Sequence, residues 1–266
     1  MIQAASTGQS ERNLAADAAM LRALHLPDRP LLLANVWDPM TARAVAASGL
    51  PAIATASAAV APVNGYEDHG HLPPDMAFEA IRRIASAVSC PVTADLEDGY
   101  GLAPQSIAER LLSAGACGLN LEDSDHRGEG LVHPEVQAER IAGIRNAGRE
   151  LGVEIVINAR IDVHLLQRSL AEGLERARIY FEAGADCVYP IFAGDAEVIR
   201  EYVALGPTNL LCRPGGLKLR EMAELGAARI SLGPMLFHLM LRNLERAAQA
   251  LGRFDDEGLW GDAIQD

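Results

Sequence analysis

Two carboxylates, Asp95 and Glu97, stand two residues apart in Ala94-Asp95-Leu96-Glu97-Asp98-Gly99-Tyr100-Gly101. Glu122 follows in Asn120-Leu121-Glu122-Asp123-Ser124, and Asp68 lies upstream in Asn64-Gly65-Tyr66-Glu67-Asp68-His69. On an extended segment residues i and i+2 point the same way, so Asp95 and Glu97 share a face. Carboxylates drawn to one spot raise each other's pKa unless a cation neutralises them. Hard oxygen donors without a nearby His/Cys set suit Mg2+, or Mn2+, with retained waters. The competing reading pairs these acids with arginines such as Arg160, in Asn158-Ala159-Arg160-Ile161-Asp162. A guanidinium there could grip a carboxylate with two N–H groups, which a lysine cannot match.

Other reactive types carry less. His69-Gly70-His71 has zinc-like spacing but falls in a loop, with no further histidine at a later strand exit except His164, which lies beyond one. Cys212 lacks an inferable histidine partner and reads as a core thiol. Of the 23 basic residues one, Lys218, is a lysine, so Schiff-base chemistry has a single, poorly placed candidate. Arg213 could clamp an anion or close a salt bridge at a rim. His126 could give or take a proton near neutrality or sit solvated in its loop. Trp37 is read as pocket floor, with a purely structural role as the alternative.

What must position these groups is a repeated unit. Eight short apolar runs occur at 31–36, 52–55, 92–96, 118–121, 155–159, 187–191, 209–212 and 229–232. They lack strict alternation, as strands buried on both faces do. Helical periodicity fills 39–48, 75–88, 104–114, 135–151, 169–183, 195–205, 218–225 and 234–250, with Pro74, Pro104, Pro134 and Pro234 at or just before starts. Gly49, Gly115, Gly184 and Gly226 fall where a left-handed helix end would precede the next strand. Eight β/α units predict a parallel (β/α)8 barrel of the TIM type. An open doubly wound sheet would want a Gly-rich turn after its first strand, and Asn35-Val36-Trp37-Asp38-Pro39 is not one. The acids all follow strand C-termini, the catalytic end of a barrel, whereas the strand N-termini carry almost no charge. One domain over 1–266 is expected, with a barrel core at about 30–250. The first twenty residues, expected to include an N-terminal helix, and the acidic tail from Arg253 read as appendages.

The net charge of −13 argues against nucleic acid or an anionic membrane as partner. Four widely spaced cysteines read as reduced thiols, and no signal peptide or membrane span is evident, so a cytoplasmic protein is expected.

Asn35-Val36-Trp37-Asp38 with Ala42-Arg43, Thr55-Ala56-Ser57, and the segments at 94–101, 120–124 and 158–162 together resemble the isocitrate lyase/phosphoenolpyruvate mutase superfamily over about residues 30–250. The resemblance implies Mg2+-dependent chemistry on small 2-oxo or 2-hydroxy acids, and a homo-oligomer, dimer or tetramer, in which a C-terminal helix can be exchanged between subunits. By position it makes Asp95 the direct metal ligand, Asp68, Glu97 and Glu122 acids holding the metal largely through water, and Arg160 the substrate-orienting arginine. Backbone at Ala56, Ser57 and Ala58 would cradle a substrate carboxylate, with Asp95, Trp37 and Arg213 completing the substrate set.

One departure stands out. The lyases carry Lys-Lys-Cys-Gly-His in the loop after the fourth strand, and here Ser124-Asp125-His126-Arg127-Gly128-Glu129-Gly130-Leu131 has neither lysine nor cysteine. The expectation is a carbon–carbon lyase using Arg160, Glu122 and His126 through an enolate-like intermediate. A non-catalytic 2-oxo acid binder, or C–P bond chemistry as a mutase or hydrolase, stands as the alternative.

Overall fold

The computed structural model describes residues 12–260 except Gly70 and Glu129. The expected start of the N-terminal appendage (1–11) and the end of the acidic tail (261–266) lie outside the described residues. Along the chain come α1 (Leu14–Ala23), β1 (Leu31–Leu33), β2 (Asn35–Val36), α2 (Pro39–Ala47), β3 (Ile53–Thr55), α3 (Ser57–Val63), α4 (Pro74–Ala85), β4 (Val92–Asp95) and α5 (Pro104–Ser113). Then follow β5 (Gly118–Glu122), α6 (Pro134–Glu150), β6 (Val156–Ile161), α7 (Leu170–Glu182), β7 (Cys187–Pro190), α8 (Ala196–Val203), β8 (Asn209–Leu211), α9 (Leu219–Glu224), β9 (Arg229–Ser231), α10 (Met235–Gly252) and α11 (Asp256–Trp260).

All strand pairs are parallel, in the orders β2-β3-β4-β5-β6-β7 and β1-β9-β8. The two sheets are one ring. Strands β1 and β2 are halves of the first apolar run, broken at Ala34, and one half pairs with β9 while the other pairs with β3. The opposite seam is closed by a Val188–Thr208 bridge between β7 and the residue before β8. This is the expected TIM-type barrel, with each of the eight runs supplying a stave.

Local chemistry explains the elements. Asp38 and Thr41 form a reciprocal cap at the start of α2, and Pro39, Pro74, Pro104 and Pro134 occupy first-turn positions where a missing N–H is harmless. Gly49, Gly115, Gly184 and Gly226 adopt φ of 85°, 83°, 104° and 89°, the left-handed exits expected of them. The main core lies between the staves and α1 and α4–α7, and includes Ile53, Leu111, Leu119, Ile144, Ile157 and Tyr180.

Two expectations are corrected. Part of the N-terminal stretch is no appendage: α1 buries Ala18 and Leu21, and Leu21 packs so closely on Gly118 that a β-carbon there would stand 2.8 Å from its Cδ2. A helix with little amphipathic signal in sequence thus plugs the barrel floor. The strand N-termini are also charged after all. Asp186 directly precedes β7, and Arg229 opens β9 fully buried. No helix among the described residues is long and apolar enough to cross a membrane.

Candidate active site

The C-terminal ends of β4, β5 and β6 deliver Asp95, Glu122 and Arg160. Register sets Asp95 opposite Asn120, and Glu122 opposite Arg160. Arg160 Nη1 lies 2.5 Å from Glu122 Oε2, so acid and guanidinium from adjacent staves form a buried pair. Burial, with Asp162 adding, raises the pKa of Glu122 against the pull of Arg160 and His126. Asp95 is likewise pushed up by burial, with Asp68 adding, although Arg160 and two bonds from Ser57 oppose the shift. Those bonds, from the Ser57 amide (3.0 Å) and hydroxyl (2.9 Å), both end on Asp95 Oδ2.

Glu97 reaches the same mouth through an unusual backbone. Glu97 and Tyr100 have φ of 50° and 53°, and His69 across the mouth has 66°. Left-handed non-glycine residues are costly and persist only where their surroundings hold them. Here the surroundings do: the Glu122 amide bonds Glu97 O at 2.9 Å, and the Tyr100 amide bonds Asp98 Oδ1 at 2.7 Å. Gly99 has φ of 80°, and a β-carbon there would stand 2.9 Å from Ile107 Cδ1 and 3.0 Å from Arg140 Nη2. Tyr100 stands beside Glu97, Asp95 and Asp68, and its hydroxyl, held high by burial and these acids, stays protonated.

The loop after β5, described at 124–128 and 130–131, folds over the acids. Its base is a short ladder: Val132 N to Asp123 O at 2.8 Å, Asp125 N to Gly130 O at 3.0 Å, and a Ser124–Leu131 bridge. From it the His126 ring enters the mouth, with Nε2 on Glu122 and Nδ1 3.5 Å from Glu97 Oε2. Burial would lower its pKa, but Glu122 and Glu97 outweigh burial and raise it to about 10, so the ring is an imidazolium bridging two carboxylates. His69 packs edge-on to it at 5.5 Å.

The acids expected from sequence are therefore brought together, as are Arg160 and His126. Four placements differ from expectation. Ser57 and Ala58 begin α3 rather than a loop, and the Ser57 N–H serves Asp95 instead of standing free for a ligand. Arg160 already gives its side-on edge to Asp162, Nε to Oδ1 at 2.7 Å and Nη2 to Oδ2 at 3.0 Å, so that edge cannot also grip a ligand. Trp37 packs on Phe237 (5.2 Å) and lines a groove of about 370 Å³ with Asp38, Asn64 and Glu79, outside the acid cluster. Arg213 is exposed and stacks over Phe192 at 5.5 Å, with no ion pair among the described residues. Sequence reasoning missed Asp162, although the Arg160-Ile161-Asp162 spacing held the clue.

Among the described residues no three His, Cys, Asp or Glu side chains converge closely enough to enclose an ion. The donors suit a hard cation that keeps most of its waters: Asp68 Oδ1 is buried and unpartnered, and it neighbours the raised carboxyl of Asp95.

A model of the family described as phosphoenolpyruvate phosphomutase matches residues 21–252. An uncharacterized Mycobacterium tuberculosis protein is 33% identical over 232 residues, 86% of this chain and 87% of its own. The 2-methylisocitrate lyase of Escherichia coli is 28% identical over 243 residues, 86% of this chain and 80% of its own. A solved Burkholderia cenocepacia chain, described as a phosphonomutase candidate, aligns with a TM-score of 0.82 at 38% identity, covering 88% of this chain and 99% of that one.

Proposed function

The chain belongs to the phosphoenolpyruvate phosphomutase family, whose members similar to it include lyases and mutases, and from that membership we propose a Mg2+-dependent (or Mn2+-dependent) lyase. It would cleave a C–C bond of a small 2-oxo or 2-hydroxy (di)carboxylic acid through an enolate-like intermediate. The observation that carries the reading is the unpartnered, buried Asp68 Oδ1 beside Asp95, in a mouth where carboxylates outnumber cations.

In this reading Asp95 holds the ion directly, and Asp68, Glu97 and Glu122 hold it largely through water. Bound there, Mg2+ would supply Lewis-acid stabilisation of the negative charge that develops on the substrate oxygens. Arg160, its side-on edge held by Asp162, orients the substrate carboxylate with Nη1, which exchanges its Glu122 partner (2.5 Å) for the ligand. The Ala58 N–H, in the first turn of α3, is a second donor to that carboxylate, with Ala56 setting the turn. Glu122 takes the hydroxyl proton as the C–C bond breaks and its electron pair passes into the enolate. The imidazolium of His126 returns a proton to the enolate carbon. Arg213 serves the distal end of the substrate, and Trp37 supports the wall behind α3.

The test is turnover of a panel of 2-oxo and 2-hydroxy diacids with Mg2+, with product identified. A metal-dependent C–C cleavage product supports the lyase. Two other readings have their own motive and outcome. Similarity to the Burkholderia chain favours C–P chemistry, for which conversion of phosphonopyruvate into phosphoenolpyruvate marks a mutase and release of phosphate marks a hydrolase. The tethering of His126 by two carboxylates favours a binder, for which thermal stabilisation by ligand without product is diagnostic. We place a homo-oligomer in the same proposal, because Leu244, Leu251 and Phe254 of the C-terminal segment are exposed, Phe254 at 95%. Light scattering that returns a monomer removes it.

A further inference from the structure

The carboxylate of Asp162 is fully buried at the end of β6 and serves two masters. Its Oδ1 accepts Arg160 Nε at 2.7 Å, and its Oδ2 accepts both Arg160 Nη2 (3.0 Å) and the Ser124 hydroxyl (2.6 Å). Ser124 is the first residue of the loop that carries His126. One carboxylate thus holds the arginine's side-on edge and the root of the loop together.

Asp162 is itself held from behind. Its amide donates to Asp123 Oδ1 at 2.9 Å, and Asp123 Oδ2 accepts from Tyr180 (2.7 Å) and Arg176 (3.1 Å) on α7. The same Arg176 nitrogen donates to Val132 O at 2.9 Å, at the loop's other root. Both ends of the loop are therefore tied into one buried network that ends on Arg160. A side chain locked by such supporting bonds keeps a fixed direction, which is what a ligand clamp requires.

We propose that Asp162 is a positioning residue: by holding Nε and Nη2 it points Arg160 Nη1 into the mouth, where Glu122 now sits and the ligand carboxylate would bind, and it links that direction to the seating of the loop bearing His126. The inference rests on the reading of the mouth as a metal-assisted carboxylate site, and it adds a coupling that reading does not contain. A loop that lifts at Ser124 takes a hydrogen bond from the carboxylate that aims the guanidinium, and a ligand pulling Arg160 acts on the loop by the same route.

The experiment uses the full chain, with oxalate as the carboxylate probe and Mn2+ as the ion probe. Calorimetry reads oxalate affinity with Mg2+ present, electron paramagnetic resonance reads Mn2+ affinity, and hydrogen exchange reads protection of the segment 124–131. Asp162→Asn keeps the volume but replaces one acceptor oxygen by an amide NH2, so the paired side-on geometry is lost. Its oxalate affinity is expected to fall at least tenfold while Mn2+ affinity changes less than twofold, a split that general loosening of the fold would not give. Protection of the loop falls in the same variant. Ser124→Ala leaves the Arg160 pair intact; its oxalate affinity stays within threefold, but the extra loop protection that oxalate induces disappears. Asp162→Asn with wild-type oxalate affinity overturns the aiming role, and Ser124→Ala with full oxalate-induced protection overturns the link. If the unaltered protein binds no oxalate, the reading of the mouth fails. The tie is then judged on the free protein, where unchanged loop protection in both variants overturns it.

Discussion

At the floor of the barrel Asp186 accepts from Arg22, Arg145 and the Ile157 amide, while Arg145 also meets Gly184 O, Ile155 O and Glu154. At the mouth, Asp68, Asp95, Glu97, Glu122 and Asp162 face two cations, Arg160 and His126, and Asp68 Oδ1 is left unpartnered. The floor is knitted by ordinary backbone and a helical plug. The mouth is held by left-handed Glu97, Tyr100 and His69. The difference separates two uses of buried charge. At the floor each carboxylate has its partners, so losing one strips arginines of their acceptors and costs stability. At the mouth the acids are in excess, so losing one relieves repulsion and costs binding instead.

The largest effect expected from this contrast is at the floor. Asp186→Ala leaves two arginines facing a vacancy, and breaking such a network costs about 3–5 kcal/mol. Urea unfolding should show that loss, and the folded fraction should bind Mg2+ and oxalate as before; a shift under 1 kcal/mol would erase the contrast. Next comes the plug. Leu21 is fully buried against Gly118, and Leu21→Ala should cost about 3 kcal/mol by the same assay, since deleting a buried leucine leaves a cavity. An unaltered midpoint would mean that α1 merely rests on the barrel.

His25, on the plug, sharpens the comparison through pH. Burial first, and Arg229 second, lower its pKa from 6.5 to about 4. The unfolded chain therefore takes up a proton between these values that the folded chain refuses. Stability is unaffected above pH 6.5, falls as pH drops toward 4, and is lower by about 3 kcal/mol at the end of that window. His25→Gln should flatten this part of the pH–stability curve; an identical slope would place the acid lability elsewhere. The smallest effect on stability belongs to Arg213. It is exposed and stacked on Phe192, so Arg213→Ala should move stability by less than about 0.5 kcal/mol. Diacid affinity should fall several-fold more than oxalate affinity, and equal losses would remove Arg213 from the distal end.

The staves and the acid cluster were legible because each depends on local pattern. Apolar runs, first-turn prolines and helix-ending glycines mark the strands and helices within a few residues, and Asp95, Glu97, Glu122 and Arg160 follow the strands that carry them. What was hidden depends on distant partners. An N-terminal helix was expected, but the seat of α1 over Gly118 was not, since its periodicity does not mark a buried face. Helix α3 is a single short stretch of Ala, Val and Pro whose first residue is fixed by Asp95 from another stave. The hold of Asp162 on Arg160 could have been suspected from the two-residue spacing, but its bond to Ser124 spans 38 residues. The choice between pocket floor and a structural role for Trp37 was hidden because its ring partner, Phe237, lies at the opposite end of the chain.

The claim that the mouth exists to hold a cation with a carboxylate guest is tested most directly at Asp95. Thermal unfolding and calorimetry would be run on the unaltered protein and on Asp95→Asn, each with Mg2+, with oxalate, and with both. The expected result is a variant at least as stable as the parent without metal, with the Mg2+-dependent affinity for oxalate abolished. A variant that is clearly less stable, or that binds oxalate with Mg2+ as tightly as the parent, would contradict the account.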